Sequence, residues 1–388
     1  MTEEIVSELD YIAKEIEKHI PDQSLPGLLS GTAGISLFLF IYSKYKQSEY
    51  FYNIAYQTLE KTIDNINLCT GHSFCSGISG ICWAIDFLCD NGYIDKQNSN
   101  INIELYPYLK KQAIKSAVEG DFDFMHGSIG SAVYLLESND SDITFHNEII
   151  ESLSKYMINC DDGGYWEYYW ADMKKDSRIN ISLSHGMAST CIYLIQLLNK
   201  FRSEEKGAYL LGKSINYIIA QEYKDNRLSI FPTFCKHYDN KNNIRNSRLG
   251  WCYGDLGIAL LFWNYYKHLG TKYFMNKSIE LFLKIGKRKD LDTNCVFDAG
   301  LCHGTSGISL IYQKMYLNTN IEDFKEISEY WLNETMNFSF THKSHSAYRS
   351  KNPEHYLSLL DGLSGIGLYL LSQIDNQYLG WERALLIN

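Results

Sequence analysis

The fold is decided by a stretch that reads His303-Gly304-Thr305-Ser306-Gly307-Ile308-Ser309-Leu310. It joins a polar residue, two nearby glycines and an apolar run, and versions of it occur seven times along the chain. The first glycines of the seven copies are Gly31, Gly77, Gly127, Gly186, Gly254, Gly304 and Gly362, and successive ones lie 46, 50, 59, 68, 50 and 58 residues apart. Seven copies at near-regular spacing predict a repeat architecture in which each copy belongs to one supersecondary unit.

The residues around the copies predict two kinds of helix. Each copy is followed by a mostly apolar run, which indicates a buried inner helix. Amphipathic stretches between the copies predict outer helices with one face in solvent, at residues 49–66, 103–118, 204–224, 273–287 and 324–337. Residues 3–19 form a further amphipathic stretch, which would pair with the seventh inner helix and close the ring. We therefore expect an all-α double ring of seven inner and seven outer helices, built as one domain over residues 1–388.

The larger gaps between the third and fifth copies hold two insertions, at residues 161–181 and 226–247. Within them, residues 163–166 (Gly-Gly-Tyr-Trp) and 231–234 (Phe-Pro-Thr-Phe) are expected to form loops or short strands. Insertions in repeat arrays usually lie on one face, often the binding face. The insertions are therefore predicted to flank the substrate.

Composition and charge exclude several classes of protein. Among 388 residues, 36 are Lys or Arg and 46 are Asp or Glu, and the resulting net charge of −10 argues against nucleic-acid binding. The acidic start of the chain is not that of a signal peptide. The longest apolar run, around residues 35–42, is far shorter than the ~20 residues that span a bilayer. We expect a soluble, cytoplasmic protein without a transmembrane segment, whose ten cysteines are thiols or metal ligands.

Three potential metal ligands occupy equivalent turns of neighbouring repeats. The fifth copy contains Trp-Cys-Tyr-Gly and the sixth Leu-Cys-His-Gly, which places Cys252, Cys302 and His303 at the starts of adjacent inner helices. Two thiolates and one imidazole suit Zn²⁺, and three protein ligands with one open position are typical of catalytic zinc. The alternative is that these residues only fill the core, as many cysteines do. That alternative is preferred for Cys75, Cys82 and Cys89, which follow heptad spacing.

The glycine copies, the Trp-Cys-Tyr-Gly and Cys-His-Gly elements and the Ser-His-Gly element at residues 184–186 resemble the lanthionine synthetase C-like (LanC) family. The resemblance covers essentially the whole chain. Members of that family are α/α toroids with a central zinc site, and bacterial members cyclise lantibiotic precursor peptides. The resemblance implies an α/α toroid here and implies Cys252, Cys302 and His303 as zinc ligands.

The resemblance also implies catalytic residues. His185 matches the catalytic histidine of the family, and Asp123 matches its catalytic aspartate. Arg248, four residues before Cys252, and Tyr253, directly after it, match further active-site residues.

The roles of three further residues near the predicted catalytic positions are not decided by the sequence. Asp121 stands close to Asp123, and either carboxylate could face the centre. His126 directly precedes the first glycine of its copy, as His185 does, but the resemblance assigns it no role, and it is expected to line the pocket. Ser189 stands where the other copies have a second glycine.

The implied reaction is zinc-dependent cyclisation of a dehydrated precursor peptide. A cysteine thiolate of the peptide adds to the β-carbon of dehydroalanine or dehydrobutyrine, which forms a (methyl)lanthionine ring. His185 is the candidate for acid–base catalysis, with Asp123 and Tyr253 as alternative proton donors. Arg248 or Tyr253 is expected to stabilise the enolate oxygen. Asp123 would orient His185 or the zinc-bound water.

Two other functions remain open: addition of a small thiol such as glutathione, and a non-catalytic toroid that binds a peptide. The complete ligand and acid–base set argues against the second of these. The partners implied by the family are the dehydrated precursor, with leader and core, and a dehydratase and an export transporter in one biosynthetic complex. Such a complex would hold the cytoplasmic chain at the membrane surface.

Overall fold

The computed structural model describes residues 2–69, 71–138, 142–167, 178–202, 204–225, 227–236, 246–338 and 353–388. Within these ranges the chain is almost entirely helical, with two short two-stranded sheets. It divides into two compact units, one formed by Met1–Leu105 with Val296–Asn388 and the other by Tyr106–Cys295. None of the helices in the described ranges has the length and apolar character needed to cross a bilayer.

The helices alternate along the chain between apolar and amphipathic. Those in the described ranges are α1 (Thr2–His19), α2 (Thr32–Lys46), α3 (Glu49–Asp64), α4 (Ile78–Asp90), α5 (Asn100–Val118), α6 (Ser128–Glu137), α7 (Ile143–Tyr156), α8 (Met187–Lys200), α9 (Glu205–Ala220), α10 (Asp255–Leu269), α11 (Lys272–Ile285), α12 (Thr305–Thr319), α13 (Glu322–Asn337), α14 (Pro353–Tyr356) and α15 (Leu363–Ile374).

The seven predicted inner helices are α2, α4, α6, α8, α10, α12 and α15. Each begins directly after the first glycine of a copy, which is its N-cap residue, and each is buried over most of its length. The second glycine allows close packing, since a Cβ on Gly307 would overlap the carbonyl oxygen of Leu301. Ser189 of the fourth copy is fully buried, and its hydroxyl donates to the carbonyl of Gly186 at 3.0 Å. Helix α8 therefore begins as the other inner helices do.

Each unit pairs apolar helices with amphipathic ones. In the first unit α3 packs on α2 and α13 on α12, and α1 packs against both α15 and α2. In the second unit α11 packs on α10, α9 on α8, and α7 against α6 and α9. The predicted pairing of the N-terminal helix with the seventh inner helix is confirmed. The second unit also contains an outer helix, α7, that the sequence analysis did not identify.

Two antiparallel strand pairs lie in the second unit. Strands β1 (Ile158–Cys160) and β2 (Gly163–Tyr165) form a hairpin, and β3 (Arg178–Asn180) pairs with β4 (Phe234–Lys236). The expectation of short strands in both insertions is therefore confirmed. Residues 168–177, 226 and 237–245 of the insertions lie outside the described residues. The β3–β4 pair joins the two insertions directly before the turn that carries His185.

Candidate active site

His185 and Asp123 form a buried hydrogen-bonded pair in the second unit. Nδ1 of His185 lies 2.7 Å from Oδ2 of Asp123, and the two residues are only 8% and 4% exposed. His185 directly precedes the N-cap glycine of α8, and Asp123 lies four residues before that of α6. Because carboxylate oxygens accept hydrogen bonds, the tautomer with its proton on Nδ1 fits this contact and leaves Nε2 as the ring nitrogen suited to acid–base catalysis.

Asp121 and Asp123 make different hydrogen bonds. Its Oδ1 accepts a hydrogen bond from the backbone N–H of Asp123 at 3.2 Å, and its Oδ2 accepts one from the hydroxyl of Ser116 at 3.2 Å. Burial raises the pKa of Asp121 to about 6. The other oxygen of Asp123 accepts from the backbone N–H of His126 at 2.8 Å. Asp121 therefore shapes the turn, and Asp123 is the carboxylate that contacts His185.

Aromatic side chains surround the imidazole of His185. The ring of His126 is nearly parallel to it, with centroids 5.7 Å apart, and the ring of Tyr253 lies 6.0 Å away. Phe234 of β4 lies 5.7 Å from the ring of Tyr253. The insertion thus contributes an apolar side chain beside Tyr253.

Residues 246–254 carry three predicted site residues into the start of α10. The carbonyl of Cys252 accepts hydrogen bonds from the backbone N–H and the hydroxyl of Ser184, at 3.2 and 3.0 Å. Gly254 has a φ of 98°, and a Cβ there would lie 2.5 Å from the carbonyl oxygen of Arg248. Cys252 is buried, whereas the side chain of Arg248 is partly exposed. This tight turn is tied through Ser184 to the turn that holds His185.

The sequence analysis missed a buried ion pair beside this segment. Nη1 of Arg288 lies 2.6 Å from Oδ2 of Asp255, and both residues are almost fully buried. Burial raises the pKa of Asp255, and the Arg288 guanidinium opposes that shift. One feature of the sequence could have pointed to Asp255, because it is the only acidic residue among the seven that directly follow a first glycine.

Cys302 and His303 lie in the turn before α12, in the first unit. Nε2 of His303 lies 3.1 Å from Oδ2 of Asp298. The backbone N–H of Cys302 donates to the carbonyl of Leu360 at 3.0 Å, which fixes the turn against the seventh copy. A carboxylate on the second nitrogen of an imidazole is typical of histidines that bind metals. The sequence analysis did not single out Asp298.

The donor groups that zinc requires are present among the described residues: the thiol of Cys252 in the second unit, and the thiol of Cys302 and the imidazole of His303 in the first. These are the three residues predicted as ligands from the sequence. Two sulfurs and one nitrogen suit Zn²⁺ and leave one position of a tetrahedral site for another ligand.

The model of the family described as lanthionine synthetase C-like protein matches residues 25–386. The chain belongs to this family.

Two relatives cover almost the whole LanC-like chain. It is 23% identical over 418 residues to the nisin biosynthesis protein NisC of Lactococcus lactis subsp. lactis, across 99% of this chain and 94% of that protein. It is also similar to the solved structure of a nisin cyclase, with a TM-score of 0.78 and 22% identity over 99% of this chain and 97% of the other. The structural likeness confirms the predicted fold class, an all-α α/α toroid.

Proposed function

We propose that this LanC-like protein is a zinc-dependent lanthipeptide cyclase. It would join cysteine thiols of a dehydrated precursor peptide to dehydroalanine or dehydrobutyrine by intramolecular Michael-type addition. The observation that carries the proposal is the buried His185–Asp123 pair, in a chain that matches the family over residues 25–386. The names of the relatives, a nisin biosynthesis protein and a nisin cyclase, support the same reaction class.

Cys252, Cys302 and His303 would hold the zinc ion. Because Asp298 contacts Nε2 of His303, Nδ1 is the nitrogen that would bind the metal. Bound zinc would supply deprotonation of the substrate thiol, whose ordinary pKa of ~8.5 leaves it mostly protonated at neutral pH.

His185 would supply the proton that completes the addition. The thiolate forms the new C–S bond at the β-carbon, and the electron pair of the double bond moves onto the carbonyl to give an enolate. One proton then adds to the α-carbon, and it balances the proton lost from the thiol. Asp123 holds Nδ1 of His185, so Nε2 would first take up the proton lost from the thiol and then deliver it to the α-carbon. The Tyr253 hydroxyl and the Arg248 guanidinium are the groups suited to stabilise the enolate oxygen.

The peptide would bind over the turns before α6, α8 and α10, beside the β3–β4 strand pair. Phe234 and Tyr253 present aromatic rings there, close to His185. The proposed partners are a dehydratase, which must first make the dehydroamino acids, and a transporter, which would export the cyclised peptide. A photoreactive dehydrated precursor should therefore crosslink to residues 227–236. Crosslinks confined to the outer helices would contradict this placement.

The decisive experiment compares His185→Ala with the wild type on a synthetic peptide that contains one dehydroalanine and one cysteine. Loss of the acid–base group should slow ring closure about 10²–10⁴-fold, while helical circular dichroism and zinc content stay unchanged. Alkylation and mass spectrometry measure the remaining thiol. The stereochemistry and position of the ring must also be scored, because thiols add to dehydroamino acids unaided. His126→Ala is the matched control and should stay within a few-fold of the wild type.

Two results would contradict the proposal. A wild-type rate for His185→Ala would remove the assigned role of the histidine. A peptide that lacks cysteine tests the small-thiol alternative. If the wild type attaches glutathione to this peptide and closes no ring in the dehydroalanine–cysteine peptide, small-thiol addition replaces cyclisation as the function.

A further inference from the structure

Asp255 and Arg288 lie behind the segment that carries Arg248, Cys252 and Tyr253. Asp255 is the first residue of α10 and is 1% exposed. Its carboxylate accepts hydrogen bonds from the backbone N–H groups of Ile230, at 3.0 Å, and Phe231, at 2.8 Å, and from Nη1 of Arg288 at 2.6 Å. Asp255 therefore joins the start of α10 to the insertion and to the residues after α11.

Arg288 uses three guanidinium nitrogens, each on a different partner. Nη1 donates to Asp255, Nε to Oδ1 of Asn294 at 2.8 Å, and Nη2 to the carbonyl of Ser247 at 2.6 Å. Arg288 is 4% exposed. The planar fork of an arginine can make these bonds in fixed directions at once, whereas a lysine ammonium cannot reproduce the geometry.

The residues around Arg248 are held from two sides by this network. Arg288 binds the carbonyl of Ser247, and the carbonyl of Asn294 accepts from the backbone N–H of Leu249 at 3.0 Å. Asn294 is itself fixed, because its side-chain amide donates to the carbonyl of Asp290 at 2.6 Å. The backbone on both sides of Arg248 is therefore fixed to the α11–α12 connection.

The C-terminal end of residues 247–254 is hydrogen-bonded to the turn that contains His185. Ser184 donates two hydrogen bonds to the carbonyl of Cys252, and the ring of Tyr253 lies 6.0 Å from that of His185. The position of residues 247–254 relative to His185 thus depends on the Ser184 bonds at one end and on Arg288 with Asn294 at the other.

We propose that Asp255 and Arg288 are positioning residues that hold Arg248, Cys252 and Tyr253 in register with His185. They touch no substrate and act through the backbone of residues 247–254. The inference rests on the proposed function for its effect on catalysis, although the backbone geometry stands without it. A displacement of about 1 Å in such a segment can cost on the order of 10²-fold in rate.

The test is Arg288→Lys, which keeps the buried positive charge and removes the planar guanidinium that makes the three hydrogen bonds. Lys277→Arg is the matched control, because Lys277 lies on α11 and pairs at 2.6 Å with Glu222, which is outside residues 247–254. Hydrogen–deuterium exchange should rise about tenfold or more in residues 247–254 of Arg288→Lys only. With the dehydroalanine–cysteine peptide, kcat should fall about 10–100-fold while KM stays within about threefold. Cobalt substitution should show a changed thiolate charge-transfer band, because Cys252 lies in the displaced segment.

The other possible results of these experiments also decide whether Asp255 and Arg288 are positioning residues. Wild-type exchange and wild-type kcat in Arg288→Lys would overturn the proposal, as would increased exchange spread evenly over residues 106–295, which would indicate a purely structural role. If Arg288→Lys does not fold, Asn294→Ala leaves the ion pair intact and should still raise exchange at Leu249. If the wild type closes no rings, the proposed function fails, while the exchange and cobalt measurements still decide the positioning role.

Discussion

Nδ1 of His185 lies 2.7 Å from Oδ2 of Asp123, although 62 residues separate them along the chain. The two residues come from consecutive copies of the glycine pattern, each in the turn before an inner helix. Neither turn alone places a carboxylate on an imidazole, and the pairing exists only because α6 packs against α8. The repeat architecture therefore creates the acid–base pair.

Asp123→Asn should slow cyclisation about 10²–10⁴-fold without loss of fold. The amide keeps the shape of the side chain but carries no charge, so it no longer fixes the proton on Nδ1 of His185. Ring-closure rates and thermal midpoints measure the two effects separately. Asp121→Asn is the control, since Asp121 bonds the backbone of its own turn, and its rate should stay within about tenfold of the wild type. The reverse order of the two rates would show that the carboxylates have been assigned wrongly.

The glycine pattern predicts where His185 and His303 lie, because any residue directly before a first glycine stands at the start of an inner helix. It does not choose between Asp121 and Asp123, since that choice depends on the backbone path of the turn. The Asp255–Arg288 pair was missed because Arg288 lies 33 residues from Asp255, in an irregular segment whose position the glycine pattern does not predict. The outer helix α7 was missed because His146 and Ser152 lie on its buried face and interrupt the apolar stripe.

Cys302→Ala should lose most of its zinc under mild chelation and keep its helical circular dichroism. The inner and outer helices bury a large core of their own, so the fold should not depend on the metal as small zinc domains do. Ring closure should fall to the uncatalysed background. Cys82→Ala is the control, because Cys82 is fully buried within α4 and should leave the zinc content unchanged. Unfolding of Cys302→Ala would make the metal structural, and full zinc loading would show that Cys302 is not a ligand.

Gly307→Ala should destabilise the protein by about 1–3 kcal/mol, a cost typical of overpacking. Its Cβ would overlap the carbonyl oxygen of Leu301, so the start of α12 would have to move. Gly212→Ala provides the contrast, because Gly212 is exposed within α9 and a Cβ there meets nothing within 4 Å. That change should stabilise the helix by about 0.5–1 kcal/mol. Urea unfolding of the two variants tests whether the glycines of the pattern are required for packing.

His146 should make the protein sensitive to mild acid. It is fully buried on α7, with Nδ1 2.9 Å from the hydroxyl oxygen of Tyr193 on α8, and burial lowers its pKa to about 3. The unfolded chain takes up a proton near pH 6.5, whereas the folded chain does so only near pH 3. The contribution of His146 to the free energy of unfolding is therefore fully present above pH 6.5 and is lost as the pH falls. The loss should be about 2 kcal/mol between pH 7 and pH 5.

Two variants separate this titration from the hydrogen bond itself. His146→Phe and Tyr193→Phe both remove the bond, and both should lower stability at pH 7, but only His146→Phe removes the titrating group. The free energy of unfolding of His146→Phe should therefore fall less between pH 7 and pH 5 than that of the wild type, by about 2 kcal/mol. Tyr193→Phe should keep the wild-type slope, because burial rather than the tyrosine is the cause of the low pKa. If His146→Phe loses stability as steeply as the wild type over this range, other groups cause the acid sensitivity and His146 does not contribute to it.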